Sequence, residues 1–352
     1  MNRAEVLRHV QNAEPVMGQD LSGMDFEGAD LSATLFDGCT FQGTRMAGAD
    51  LSASQLVRCN FVRTDLGDCR AFGTTFFETR FERVVMVGAQ LNNASFFQCA
   101  IAGLALTGST LDFVTFSQCT VDKLLFKDAA LEKVTMASCT TAMIDFSAAT
   151  LERSVLLECD LRHCKFEGTA FSNVVLLKSN LAGKKLAHHS FVNTQFIGAD
   201  LRGCDFSQAR IAQANFQGAQ LAEARFEKAH APNAIFMEAD VSGACFDHAV
   251  LRQAIFAGAR ASKASFRSAD LYQSNWANAV LPGAVLSGCD LTYADFSHAD
   301  LSQADLRGAQ MFRAKLHAVT DPGAQYTDRP RALESEPELL AAEQWRPVPL
   351  PG

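Results

Sequence analysis

The sequence predicts an all-β fold, a right-handed quadrilateral parallel β-helix of about fifteen coils with a short capping helix at each end. Three regularities predict it. Every fifth residue from Leu21 through Leu316 is large and apolar, and only Ala71, Thr141, Ala231 and Ala261 depart from this among 60 positions. Two residues before these centres, 49 of the 60 positions hold Ala, Cys, Ser or Thr. The phase never slips between those ends. Such a fixed internal period decides the architecture before any local propensity does.

A helix cannot use this pattern, because a 3.6-residue turn would spread a strict five-residue repeat around every face, and a simple strand alternates by two without a break. A five-residue unit works when two alternate residues point inward along a short extended segment and the remainder turn a corner. Four such sides close a coil of about twenty residues. The centre fills the axis, the small residue fits beneath the corner, and frequent Gly at the fifth place (Gly23, Gly28, Gly38, Gly43, Gly48, Gly198, Gly203) eases the turn.

In chain order, the first element is an N-terminal capping helix within residues 1–18. Asn2 followed by Glu5 resembles a capping box, and Val6, Leu7 and Val10 make an apolar stripe that ends before Pro15. The coils follow over residues 19–318. Runs such as Ala199-Asp200-Leu201-Arg202-Gly203 and Ala299-Asp300-Leu301-Ser302-Gln303 show the full unit. On these residues the chain resembles the pentapeptide repeat family, whose A(D/N)LXX pattern it carries through most of its length. The resemblance implies a pentapeptide-repeat solenoid, without catalytic activity, that acts through its surface. Some members resemble B-form DNA and inhibit DNA gyrase.

Sorting the centres by side predicts where the aromatic residues gather. One side carries Phe26, Phe126, Phe146, Phe166, Phe206, Phe226, Phe246 and Phe266, and the opposite side carries Phe36, Phe76, Phe96, Phe116, Phe196, Phe216, Phe236, Phe256, Trp276 and Phe296. Two Phe ladders should face each other across the axis, with Leu between them. Ten of the 11 cysteines occupy the small inward place, as Ala does elsewhere, while Cys245 should point outward. No C-x-x-C pair is present, so neither a disulfide framework nor a zinc site is expected.

Residues 183–189 interrupt the pattern, since Lys184 and His189 fall at small inward places. Two readings stand: Lys184 snorkels out of a widened coil, or the segment is a kink or anion-binding notch. The break also marks a change of composition. Before it the small place admits Val84, Leu104, Val114, Leu124, Val134, Ile144 and Val174, and after it Ala dominates. The tail, residues 319–352, begins as a loop from Thr320 to Glu334. Ser335-x-x-Glu338 then opens a short helix with Pro337 in its first turn, running to about Trp345 and stopped by Arg346-Pro347. Its Leu339, Leu340 and Trp345 could cover the last coil, dimerise, or engage another protein.

No H-E-x-x-H, G-x-S-x-G or phosphate-binding loop is present, and single carboxylates such as Asp290, Asp295, Asp300 and Asp305 recur as outward members of the repeat. No catalytic, cofactor-binding or metal residue is assigned, and no cofactor or small-molecule substrate is expected. The outside of the fourth side, centred on Phe36 to Leu316, is different in kind. Its flanking places hold Val57, Phe77, Phe97, Val155, Leu157, Val175, Leu177, Ile197, Ile235, Met237 and Ile255, where other sides are mostly polar or small. Stacked at strand spacing these would form a continuous apolar stripe, the kind of patch that marks an interface with a protein partner or a second copy.

A formal net charge of −8 over 352 residues, with Arg and Lys interspersed, points away from nucleic acid and from the dense anionic surface that DNA mimicry needs. No signal peptide or membrane-spanning stretch is apparent, so the expected compartment is the cytoplasm. The run from Glu5-Val6-Leu7 to Gly23 is similar to the start of pentapeptide proteins associated with type VI secretion. A non-enzymatic protein–protein interaction scaffold or adaptor, in the form of effector loading, is the function this favours. The alternative is a DNA-mimicking inhibitor or protector of a type II topoisomerase.

Overall fold

The computed structural model describes residues 1–345. The chain forms a right-handed, four-sided parallel β-helix of about 16 turns with two short helices. It divides into two compact units, Met1–Asn180 and Leu181–Gly352.

The backbone accounting explains why the repeat is five residues long. Around Val241, the Ala239 N–H donates to Phe236 O (3.1 Å), Asp240 N–H to Ala219 O (3.0 Å), Val241 N–H to Arg260 O (2.7 Å) and Gly243 N–H to Ser262 O (2.9 Å). The remaining donor, Ser242 N–H, reaches Asp240 Oδ1 at 3.1 Å. All five N–H groups are therefore satisfied, three by neighbouring coils, one by the corner and one by the carboxylate. Where an Asp precedes the centre, as at Asp240, it thus has a structural task. The corner itself needs a left-handed residue: among the described residues, every position ending in 3 or 8 from Ala13 to Gly323 has positive φ except Lys123, Met143 and His163. Gly serves at Gly23 (φ +68°) and Gly203 (φ +64°), but Arg58, Glu78 and Gln208 adopt the same conformation at φ 51°, 50° and 58°.

In the first unit, α1 (Arg3–Gln11) opens with the expected capping box: Asn2 Oδ1 accepts Glu5 N–H at 3.0 Å and Glu5 Oε2 accepts Asn2 N–H at 2.9 Å. Val6 is fully buried, and Arg3 Nε donates to Asp25 O at 2.7 Å, fixing the helix on the first coil. The coil starts one side before Leu21, because buried Val16 already pairs with Phe36. An eight-stranded parallel sheet runs from Val16–Met17 to Val155–Leu157, beside sheets of six and four strands. Partners are twenty residues apart, as in Phe36↔Leu56 and Phe76↔Phe96.

Four strands of the six-stranded sheet, Arg80–Val85, Ala100–Ala105, Thr120–Leu125 and Thr140–Asp145, run on past the corner. Val84, Leu104, Leu124 and Ile144 occupy the small place there and are 0–1% exposed. The strands run on through all four places, and at Leu124 and Ile144 the corner itself opens. Lys123 and Met143 lose the left-handed conformation, and the pairing shifts register between Val121 and Leu124.

The second unit keeps tight corners throughout and pairs mostly through single residues, such as Gln195↔Asn215 and Ile235↔Ile255. Here the two aromatic ladders form as expected. Phe196, Phe216, Phe236, Phe256 and Trp276 stack at 4.9, 4.9, 4.7 and 4.1 Å, and Phe206, Phe226, Phe246 and Phe266 at 5.0, 4.6 and 4.8 Å. The ladders meet edge to face, as at Phe226 and Phe236 (5.8 Å, 88°), the arrangement favoured by ring quadrupoles. In the first unit Phe76, Phe96 and Phe116 stack at 4.7 and 4.6 Å and Phe126, Phe146 and Phe166 at 5.3 and 5.6 Å on the expected sides, but its early coils depart from the two-ladder expectation. Phe41, Phe61 and Phe81 stack at 4.6 and 5.5 Å on a side expected to hold Leu, while Met46, Leu66 and Met86 fill the side where Phe was expected. The lumen accepts a second ring in each coil from an adjacent side as readily as from the opposite one.

All 11 cysteines are free, ten are buried, and Cys245 is half-buried. Most of the buried thiols donate to carbonyls of the preceding coil, for example Cys99 to Phe76 O (3.3 Å) and Cys119 to Phe96 O (3.4 Å). Thr79 fills the gap in that column with the same bond to Leu56 O at 2.8 Å. Burial pushes the thiols of Cys69, Cys204 and Cys289 up to about 12.

The coil continues past Leu316, where a loop was expected: Asp300 bridges Thr320, and Asp305–Leu306 pairs with Gln325–Tyr326. A 3-10 turn, Arg329–Arg331, follows. The second helix, α2 (Pro337–Gln344), has Glu336 rather than Ser335 at its N-cap, with no side-chain cap. The Ser335 hydroxyl instead accepts Ala318 N–H at 2.9 Å, so the predicted capping box does not form. The stop expected at Arg346-Pro347 lies outside the described residues.

Two predictions follow from this packing. Trp276 is fully buried and its Nε1–H donates to Ser274 Oγ at 2.8 Å, so Ser274→Ala should lower the unfolding free energy by about 1–3 kcal/mol in a denaturant titration. Titration with a thiol reagent should modify Cys245 alone in the native protein and the other cysteines only after denaturation.

Candidate interaction surface

The fourth side of the first unit holds Val57, Phe77 and Phe97 in direct register. The Phe77 and Phe97 rings stack outside the sheet at 5.6 Å and 9°. Val155, Leu157, Val175 and Leu177 form a second group on this side, with Val155 bridged to Val175. All seven are half-buried, because side chains one strand apart cover each other. The expected continuous stripe is interrupted between the groups by Thr115, Ser117, Thr135 and Ala137, which occupy the same register. In the second unit, Ile235 and Ile255 are bridged and half-buried, as are Ile197 and Met237.

Lys184 and His189 leave the coil path unchanged. Lys184 N–H donates to Leu181 O at 3.0 Å and His189 N–H to Leu186 O at 3.3 Å, the ordinary corner bonds. Both side chains are half-buried rather than enclosed. His189 Nδ1 lies 3.1 Å from Ala187 O, and its ring stacks on Phe191 at 5.8 Å.

Several strongly exposed apolar side chains lie on the third side, which the sequence reading passed over. Phe72 is 57% and Phe113 53% exposed, with Lys133 Nζ 4.3 Å above the Phe113 ring. In the second unit, Tyr272, Tyr293 and Phe312 form an edge-to-face row at 5.9 and 5.8 Å. Arg252 and Arg331 lie over its two ends, at 4.3 and 5.4 Å.

In the tail, Leu339 is 45% and Trp345 72% exposed, and Leu340 is half-buried. Polar contacts instead hold α2 to the coil. Glu343 Oε2 lies 3.0 Å from His317 Nε2 and 3.5 Å from His298 Nε2. Below it, Tyr326 Oη donates to Asp321 Oδ2 at 2.9 Å, and Arg329 reaches both Asp321 and Glu334.

Repeated carboxylates are engaged rather than free. Asp290, Asp295, Asp300 and Asp305 each accept the N–H two residues on, at 2.9–3.1 Å. Arginines from the neighbouring coil pair with others, as Arg70 does with Asp50 (2.9 Å) and Arg260 with Asp240 (3.0 Å). The donated hydrogen bonds of Arg162 and Arg307 hold the carboxyls of Asp160 and Asp305 below the usual range. No helix among the described residues is long and apolar enough to cross a membrane.

A four-sided coil with a filled lumen and outward-facing apolar groups defines a repeat solenoid whose free chemistry lies on its faces and tips. The chain belongs to the pentapeptide repeat family: the pentapeptide-repeat profile matches in eight copies, among them residues 18–52, 34–70, 144–176, 190–227, 214–253, 234–273 and 269–308. No curated protein matches the sequence. Among solved structures, it is similar to HetL, a pentapeptide repeat protein involved in heterocyst differentiation regulation in the cyanobacterium Nostoc sp. strain PCC 7120. That alignment has 22% identity, covers 87% of this chain and 97% of HetL, and has a TM-score of 0.17. QnrB1, a plasmid-mediated fluoroquinolone resistance protein, aligns at 21% identity over 61% of this chain and 93% of its own, with a TM-score of 0.26. The mannuronan C-5 epimerase AlgE6 A-module of Azotobacter vinelandii aligns at 8% identity over 95% of both chains, with a TM-score of 0.19.

The engaged carboxylates set the acid response. Because their folded-state values are depressed, the stability they contribute is present above the unfolded value, near 3.9, and is lost as pH falls through the lower folded values. Thermal melts should be flat between about pH 7 and 5 and fall below about pH 4, and Asp160→Asn should reduce that fall.

Proposed function

We propose that this pentapeptide repeat protein is a non-enzymatic, cytoplasmic interaction scaffold that docks a protein partner on its fourth side. The observation that carries this reading is the in-register apolar group Val57, Phe77 and Phe97, whose rings stack on the outer face of a sheet that could have been polar there. Val155, Leu157, Val175 and Leu177 supply further apolar area on the same side of that unit, and Ile197, Ile235, Met237 and Ile255 supply it in the second unit. Adaptor loading of a type VI secretion effector is the most concrete form, supported by the N-terminal run from Glu5 to Gly23 and its resemblance to proteins of that system. DNA mimicry of a topoisomerase substrate draws no support from carboxylates already engaged with backbone N–H groups and arginines.

Phe77→Glu combined with Phe97→Glu, and separately Leu157→Glu combined with Leu177→Glu, should abolish capture of the partner in pull-downs from the native cell while leaving the circular dichroism spectrum unchanged. An unaltered set of captured proteins would reject the docking face.

A further inference from the structure

At the end of the second unit, three side chains that no motif connects converge on one point. His298 and His317 come from successive coils and Glu343 from α2, and one ligand atom from each lies within 4.8 Å of the others. Both Nε2 atoms face the same Glu343 Oε2, at 3.0 Å from His317 and 3.5 Å from His298. A zinc tetrahedron with arms of about 2.0–2.1 Å has edges of about 3.3–3.4 Å, and the two edges that meet at Glu343, 3.0 and 3.5 Å, lie close to that. The two imidazole rings stand nearly perpendicular, at 82°, with centroids 5.4 Å apart, so their lone pairs approach from different directions.

The surroundings suit a partly open site. The three residues line a cavity of about 230 Å³ with Ser297, Lys315 and Glu336 among its other walls. That volume leaves space for a water as fourth ligand, since a water occupies about 30 Å³. Lys315, which lines the cavity, is paired with Asp295 at 3.2 Å. His317 is nine-tenths buried, and its Nδ1 has no hydrogen-bond partner. Its ring is therefore held by packing and not by a carbonyl or carboxylate behind it, which makes the site weaker by about 10–100-fold than one with that support.

We propose that His298, His317 and Glu343 form a binding site for a divalent first-row transition ion of the zinc class, which fastens α2 to the last coil. Two imidazoles and one carboxylate favour such an ion over calcium or magnesium, which take oxygen ligands. The ion would then strengthen the docking of α2 beyond what the Glu343–imidazole contacts supply. With no buried residue of its own, the helix has little apolar area to hold it in place.

The test is direct metal binding to the full-length protein. After chelator treatment, zinc should bind with one-to-one stoichiometry in competition with a chromophoric chelator, and calcium and magnesium should not displace it. His298→Ala, His317→Ala and Glu343→Gln should each weaken binding at least tenfold, while His248→Ala should leave it unchanged. Glu343→Gln lies outside the coils, so its circular dichroism should match that of the parent. Zinc should also protect the tail from limited proteolysis in the parent and not in Glu343→Gln. Absence of stoichiometric zinc binding, or binding indifferent to all three substitutions, would overturn the site.

Discussion

The structure depends on the left-handed residue at each corner. A chain of L-residues reaches that conformation at a cost of roughly 1–2 kcal/mol each, and most of the corner positions here are not Gly. The cost is tolerated because the corner lets four N–H groups of the five-residue unit find backbone acceptors, with a side-chain oxygen serving the fifth where Asp precedes the centre, and because the two inward side chains then land on a filled axis. Polar residues dominate the non-Gly corners, among them Asn93, Asn173, Gln208 and Gln273. Long or amide side chains point to solvent there and have little to clash with.

At Leu124 and Ile144 the corner gives way instead of the core, whereas Val114, Val134 and Val174 fit beneath corners that keep positive φ. Val84, Leu104, Leu124 and Ile144 stay buried, and the backbone straightens into strands that run past the turn. Packing of large apolar groups thus outweighs the local turn preference, as expected when one buried side chain contributes about 1.5–3 kcal/mol and a corner hydrogen bond about 1. The second unit, with Ala at nearly every such place, has no room for the exchange and keeps its corners.

What could be read from the sequence was whatever the period or the local chain encodes. The Asn2 and Glu5 box forms because both partners lie within one turn, and the column of inward thiols follows from spacings of twenty. Ser335 and Glu338 have the same local signature but no box, since Ala318 from the coil claims the hydroxyl. The fourth-side apolar residues were legible as a column, whereas the polar gap at Ser117 and Thr135 matters only once the register is seen. Tyr272, Tyr293 and Phe312 escaped because their spacings of 21 and 19 place them in different columns, although their rings touch. His298, His317 and Glu343 share no spacing rule at all: a coil step and a returning helix bring them together.

Pairing between residues twenty apart also limits how such a chain can change its length. Losing a single five-residue unit would rotate everything downstream by one side, setting stacked rings against aliphatic neighbours and outer apolar groups on a different face. Losing or duplicating a whole winding leaves each residue on its own side. Growth of this molecule is therefore quantised, and tandem duplication of twenty-residue blocks is the smallest step that preserves both lumen and faces.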